Sequence, residues 1–151
     1  MPRTQQMSSN RNILGAEFDW FAVDFDGHVG HFSSAGFGPV PLAAEADAGR
    51  YDRVFELFKK SPGSRTASFE RGSGKGCDDW LKIAQHGIFS YDWKHWNGPY
   101  ARIATPENPI LKDQLPEEIK STVVRIRFEK ICFRKVKTVR PEKFLDCTDG
   151  S

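Results

Sequence analysis

The chain has 151 residues, which is enough for one domain with a sizeable core and too few for two. Charged residues make up 28% and hydrophobic residues 38%, a balance that excludes a wholly disordered chain. The net charge of +2 argues neither for nor against nucleic acid as a partner. Aromatic residues reach 13%, so a small sheet can bury a large apolar area.

The three cysteines, Cys77, Cys132 and Cys147, give no sign of a paired framework. Their number is odd and their spacings are long, and the absence of a Cys-x-x-Cys pair excludes a zinc ribbon or a dithiol redox motif. The first ten residues are polar, unlike a secretory signal, and no apolar run approaches a membrane span. We therefore expect a cytoplasmic protein with reduced thiols.

Residues 1–12 are predicted to be a disordered tail, 13–145 a single domain and 146–151 a second tail. The domain opens with a predicted hairpin, in which Asp26-Gly27 is the turn between a strand over Glu17–Phe25 and a second strand starting at Val29. Apolar side chains alternate to both sides of the first strand, so we expect that strand to be covered on both faces.

The rest of the chain alternates between helical and strand patterns, joined by loops rich in glycine and proline. Its elements are predicted as a helix over Leu42–Lys60, divided at Gly49, a polar connection over Ser61–Gly76, a short helix ending near His86, strands over Ile88–Trp93 and Tyr100–Ala104, a brief helix after Pro116, a strand over Val123–Phe133 and a last strand over Val136–Val139. The fold class is therefore α+β, a mostly antiparallel sheet of about five or six strands with about two or three helices on one face.

A first candidate site consists of acids and imidazoles in the hairpin: Asp24, Asp26, His28 and His31. Such groups can bind a metal or transfer protons. However, His28 and His31 are three residues apart, so a regular strand points them to opposite faces, and Asp26 is a typical turn former. The pattern favours turn chemistry, and we predict no metal and no cofactor.

A second candidate site combines two segments that contain aromatic residues, the Gly36–Pro41 loop and the Tyr91–Trp96 turn. Tyrosine and tryptophan provide large contact area with a polar group, which is typical of binding surfaces. The predicted binding residues are Phe37, Pro39, Tyr91, Asp92, Trp93, His95 and Trp96.

A third feature is a basic run near the C-terminus, in which Arg125, Arg127, Arg134 and Lys137 could form one face. A continuous positive face would attract nucleic acid or an acidic protein. The alternative interpretation is a solvated sheet face whose charges prevent aggregation.

The segments Trp20–Phe32, Gly36–Pro41 and Gly87–Trp93 together resemble a group of small bacterial proteins of unassigned function. These are similar to the single-domain immunity proteins that accompany bacterial toxins. The resemblance implies a non-enzymatic protein that blocks a toxin's active site.

We therefore predict a cytoplasmic protein-binding module, with a protein partner that could be a toxin and no membrane association. Two alternatives stay open: a small ligand-binding protein or enzyme using Asp24, His28 and Asp92 around an aromatic pocket, and a nucleic-acid binder.

Overall fold

The computed structural model describes residues 3–4, 17–61, 63–70, 78–141 and 145–147. Its strands are Arg3–Thr4 (β1), Asp19–Val23 (β2), Val29–Ser33 (β3), Ala67–Phe69 (β4), Phe89–Asp92 (β5), Tyr100–Pro106 (β6), Arg127–Phe128 (β7), Thr138–Val139 (β8) and Leu145–Cys147 (β9). Its helices are Leu42–Glu45 (α1), Ala48–Lys60 (α2), Asp78–Ala84 (α3) and Glu117–Val123 (α4), with a 3-10 turn at Lys112–Gln114.

These strands form one mixed sheet in the order β1-β9-β7-β2-β3-β5-β6-β4, and β8 pairs with β6. The β2–β7 and β3–β5 pairs are parallel, and the other pairs between the described strands are antiparallel. The predicted α+β class with a mostly antiparallel sheet is confirmed. Because β3 and β5 run the same way, the chain between them crosses over the sheet through α1, α2 and α3, as a parallel pair requires.

Strand β2 is covered on both sides, as its alternation predicts. Trp20, Phe21, Ala22 and Val23 are each at most 1% exposed. One side of the sheet, here called the helix face, carries Phe21 and packs against α2, α3 and α4.

The opposite side, here called the aromatic face, is a continuous stack of rings. Trp20 stacks on Phe32 at 4.3 Å between ring centroids, and Phe32 stacks on Tyr91 at 5.1 Å. Phe133 covers this stack, and a Cβ at Gly30 would meet its ring at 2.8 Å, so glycine is needed there. Each fully buried ring contributes about 1.5–3 kcal/mol through loss of contact with water, which makes this stack a main source of stability.

Two predicted elements are wrong in extent. The strand over Val123–Phe133 is reduced to Arg127–Phe128, because α4 continues to Val123 and the chain then turns before entering the sheet. The predicted helix over Leu42–Lys60 is two helices, and the break falls at Ala46 and Asp47 instead of at Gly49. In the segment Val123–Phe133, the alternation of apolar residues is compatible with a strand and also with the end of a helix. Tertiary packing decides between the two.

The described strands also extend into segments without a predicted strand. β4 lies within the connection predicted over Ser61–Gly76, and β1 pairs with β9 at Arg3↔Cys147. The first hairpin strand ends at Val23, and Phe25 is 57% exposed instead of facing the core. Among the described helices, none has both the length and the apolar character that a membrane span requires.

Candidate functional site

Four central strands bring their termini together at one end of the sheet. β2 and β6 begin there, and β3 and β5 end there, since β3 is antiparallel to β2 and parallel to β5. The side chains at this end include Glu17, Asp19, Phe37, Asp92 and Trp96, and we call it the acidic end. The opposite end, here called the turn end, carries the hairpin connection over 24–28.

Two aromatic side chains at the acidic end face solvent. Phe37 is 63% exposed in the loop after β3, and Trp96 is 81% exposed in the turn after β5. Among the large hydrophobic side chains of the described residues, these two are the most exposed.

Buried hydrogen bonds hold the loop that carries Phe37. The Tyr100 hydroxyl donates to the Pro39 carbonyl at 3.1 Å, and Trp20 Nε1 donates to the Tyr100 hydroxyl at 3.1 Å. A Cβ at Gly38 would lie 2.6 Å from the Tyr100 oxygen, so the loop can approach the ring only as glycine. The exposed Phe37 is therefore presented on a fixed backbone.

The turn that carries Trp96 is held in the same way. Trp93 Nε1 donates to the Trp96 carbonyl at 3.1 Å, and the Trp93 ring packs against Tyr100 with centroids 5.0 Å apart. Both segments of the predicted aromatic site thus rest on the same buried Trp93–Tyr100 pair, which brings them together.

The predicted binding residues divide between surface and core. His95 is exposed with Phe37 and Trp96, and Pro39 and Asp92 are half-buried. Tyr91 and Trp93 instead lie in the core, where the Tyr91 hydroxyl donates to the Val136 carbonyl at 2.8 Å. These two side chains support the surface from beneath and do not form part of it.

A buried polar chain leads from the helix face to the acidic end. His31 is 1% exposed, and its Nδ1 lies 2.7 Å from Ser90 Oγ while its Nε2 lies 2.7 Å from Asp19 Oδ1. These are the residue types of a serine hydrolase, but Ser90 is fully buried and no substrate could reach its hydroxyl. The chain therefore orients the Asp19 carboxylate and does not supply a nucleophile.

Asp19 opens into a small cavity of about 140 Å³ between the sheet and two helices. The lining residues are Glu17, Asp19, His31, Ser33, Phe55, Lys59, Asp79 and Trp80. The lining thus contains three carboxylates, one lysine ammonium group and the aromatic rings of Phe55 and Trp80.

The pKa values of two nearby carboxyl groups, Asp92 and Asp52, are raised by burial and by neighbouring carboxylates. Burial raises the pKa of Asp92, and nearby Glu17 and Asp19 add to that rise against the opposing effects of His31 and Lys94. Burial also raises the pKa of Asp52, and repulsion from Asp19 and Glu56 adds to it. Carboxyl groups at the acidic end therefore repel one another, and His31 and Lys94 offset part of that repulsion at Asp92.

The four residues of the predicted hairpin site lie in two places, as the three-residue spacing of His28 and His31 indicates. His31 faces α2, whereas Asp24, Asp26 and His28 meet at the turn end, where one donor atom from each lies within 4.8 Å of the others. Asp24 is fully buried and shapes this turn, because Oδ1 accepts hydrogen bonds from the backbone nitrogens of Asp26 (2.9 Å) and His28 (2.8 Å).

The enzyme set of Asp24, His28 and Asp92 does not assemble. Asp24 and His28 lie at the turn end, and Asp92 lies at the acidic end. The length of β3 separates the two ends by roughly 13 Å at about 3.3 Å per residue, which is too far for shared proton transfer.

A larger cleft of about 470 Å³ lies beside α2 and α4, and two of its polar side chains, His86 and Arg65, have partners within the protein. His86 Nε2 lies 2.9 Å from the Phe58 carbonyl and 2.6 Å from the Ser61 carbonyl. Arg65 donates to the Asn108 carbonyl. The His86 ring nitrogen and the Arg65 guanidinium in this cleft are therefore engaged within the protein.

The predicted basic face is not continuous. Arg125 forms an ion pair with Asp47 at 2.5 Å, and Arg127 lies 3.5 Å from Glu129. Arg127 pairs with Val23, which places it on the helix face, while Arg134 lines a surface pocket with Phe89, whose ring lies on the aromatic face. Lys137 is exposed and acts electrostatically on Glu70.

Sequence reasoning missed the Asp19–His31–Ser90 chain and the cavity that it serves. Ser90 is 59 residues from His31 and meets it through the parallel β3–β5 pairing. The sequence offered one signal: Asp19 and His31 are polar residues in two paired strands that are otherwise rich in apolar side chains.

Comparison of the chain with protein-family models, curated proteins and solved structures returns no match. Its function must therefore be inferred from the contacts, charges and exposure of its own residues.

Proposed function

We propose that the chain is a protein-binding module whose partner docks on the acidic end. The observation that carries this proposal is the exposure of Phe37 and Trp96, at 63% and 81%, on two loops tied to one buried ring pair. Rigid exposed aromatic side chains lose little entropy when they bind, and they dominate the energetics of protein interfaces.

The surrounding charge defines the chemistry of the partner. Glu17, Asp19 and Asp79 line the cavity with Lys59, whose ammonium is 3.0 Å from Glu56. Asp92 lies near enough to Glu17 and Asp19 to act on them electrostatically. A lysine or arginine side chain of the partner would fit this cavity, pairing with carboxylates and lying against the aromatic wall. The partner therefore presents a basic surface with room for two aromatic side chains.

The resemblance to immunity proteins makes a bacterial toxin with a basic active-site groove the first partner to test. In this proposal the chain acts in the cytoplasm as a non-enzymatic inhibitor, and the aromatic side chains fill the groove while the carboxylates neutralise it. The burial of Ser90 and the separation of Asp24 from Asp92 support binding over catalysis.

The proposal is tested by affinity capture from source-cell lysate with three baits: the unaltered chain, the Phe37→Ser/Trp96→Ser double variant and the Phe25→Ser variant. Phe25 is a matched control, since it is 57% exposed at the turn end. We expect one stoichiometric, nuclease-resistant protein on the unaltered and Phe25→Ser baits, and its loss from the double variant.

Three results would contradict the proposal: no stoichiometric partner on any bait, equal recovery on all three, or retention of nuclease-sensitive material alone. Retention of nuclease-sensitive material alone would favour nucleic-acid binding as the function. A second readout is salt dependence, because an acidic surface that recruits a basic partner binds more weakly as ionic strength rises.

A further inference from the structure

The turn end carries a polar cluster that the protein-binding proposal does not use. Asp24 Oδ1 accepts hydrogen bonds from the backbone nitrogens of Asp26 and His28, and its Oδ2 accepts one from the Phe133 nitrogen at 2.8 Å. The carboxylate is thus fixed in position by three donors from two distant segments. A carboxylate oxygen has two lone pairs, so Oδ2 can accept one further bond.

His28 supplies the second observation. The residue is 8% exposed, and its buried Nδ1 has no hydrogen-bond partner within the described part of the chain. This nitrogen lies 3.7 Å from Asp24 Oδ2, beyond hydrogen-bond distance. Buried ring nitrogens normally have a partner, so an unpaired one beside a carboxylate is a position that suits a shared ligand.

The donor atoms of Asp24, Asp26 and His28 all lie within 4.8 Å of one another. A tetrahedral ion with bonds of about 2.1 Å holds its donors roughly 3.4 Å apart. Rotation of the exposed Asp26 side chain can close part of that difference, whereas the His28 ring is buried beside Phe89.

Cys132 lies beside this cluster, against Asp26, although its Sγ is not one of the donor atoms that lie within 4.8 Å of one another. As a fourth ligand it would decide the class of ion. Its Sγ is 3.1 Å from Asp26 Oδ2, and the cysteine is a free thiol. Calcium and magnesium take oxygen ligands, whereas a set of two carboxylates, an imidazole and a thiolate suits a borderline-soft transition metal.

We propose that Asp24, Asp26 and His28, with Cys132 as fourth ligand, bind a divalent transition-metal ion of the zinc class. The ion would crosslink the hairpin turn to the segment before Phe133, which is already joined to it by the Phe25 nitrogen and the Ile131 carbonyl at 3.0 Å. Coordination replaces the Cys132 thiol proton, which is released to solvent.

The test uses the full chain after removal of metals by a chelator, titrated with Zn²⁺ by calorimetry and with Co²⁺ by absorption. We expect one ion per chain, a rise in Tm with Zn²⁺, and a thiolate-to-cobalt band. His28→Gln should weaken Zn²⁺ binding by at least about tenfold, Cys132→Ser should abolish the band, and His95→Gln, a change in an exposed turn, should leave both unaltered.

His28→Gln keeps a side-chain amide in place of the ring and is checked for unchanged far-ultraviolet circular dichroism before titration. Absence of a Zn²⁺-dependent Tm rise in the unaltered chain would overturn the proposal. So would equal affinity in the unaltered and His28→Gln proteins, since the ion would then be held by other residues. A cobalt complex without a thiolate band would remove Cys132 from the ligand set.

Discussion

Replacing Tyr100 with phenylalanine tests how the loop that presents Phe37 is held. The Tyr100 hydroxyl accepts from Trp20 Nε1 and donates to the Pro39 carbonyl, each at 3.1 Å. Both Trp20 and Tyr100 are fully buried, so water cannot restore the bond to the indole. The substitution leaves the ring packing intact and removes one oxygen.

The expected loss follows from the two groups that lose their partner. A buried donor left unpaired costs about 1–3 kcal/mol, and the half-buried Pro39 carbonyl adds less because it can find water, so the sum is about 2–3 kcal/mol. With a urea m-value of about 2 kcal/mol/M, the unfolding midpoint should fall by roughly 1 M.

The assay is equilibrium urea unfolding of the unaltered chain, Tyr100→Phe and Tyr51→Phe. Tyr51 is a matched control, because it is also fully buried but its hydroxyl makes a hydrogen bond of 3.5 Å to the Thr122 carbonyl. We expect the control to lose less than about 1 kcal/mol. The reasoning would be refuted by a Tyr100→Phe loss no larger than that of the control.

Three further predictions concern the polar groups of the sheet. Ser90→Ala should lower the free energy of unfolding by about 1–2 kcal/mol, because it removes the partner of buried His31 Nδ1; thermal unfolding checks this, and an unchanged Tm would contradict it. Burial alone would raise the pKa of Glu70, but hydrogen bonds from Thr105 and Arg102 overcome that effect and hold it below its usual 4.5. The stability that Glu70 provides is therefore complete above pH 4.5 and is lost as pH falls through the lower folded-state pKa, so Glu70→Gln should be about 1 kcal/mol less stable at neutral pH and equally stable in acid. Burial raises the pKa of Asp92 above 3.8, so its ionised form opposes folding; Asp92→Asn should be more stable than the unaltered chain at pH 7, with the gain vanishing below pH 3.8, while partner capture weakens. A less stable Asp92→Asn at pH 7 would show that the carboxylate is satisfied in the folded chain.

The sequence pattern predicted those elements whose structure depends on residues close together in the chain. The alternation from Trp20 to Val23 predicts a strand buried on both faces, and the structure confirms it. The Gly36–Pro41 loop and the Tyr91–Trp96 turn contain side chains that meet at one end of the sheet. Their division between surface and core could not be predicted, since it depends on which side of β5 each residue occupies.

Long-range pairing decided the rest. The parallel β3–β5 contact joins His31 to Ser90 across 59 residues, and no local signal specifies that partner. The hairpin connection runs over 24–28 instead of the predicted 26–28, because the Asp24 carboxylate binds two backbone nitrogens within it. The strand predicted over Val123–Phe133 failed for a related reason, since α4 and the contacts of Phe133 override its alternation.

The most direct test of the proposed interface is site-specific photo-crosslinking in source cells. A photoreactive phenylalanine analogue is placed at position 37, 96 or 25 in separate full-length chains, of which only the first two positions lie at the acidic end. We expect positions 37 and 96 to crosslink the same basic protein and position 25 to crosslink none. Crosslinking from position 25 alone, or from no position, would contradict the account of this end as the contact surface.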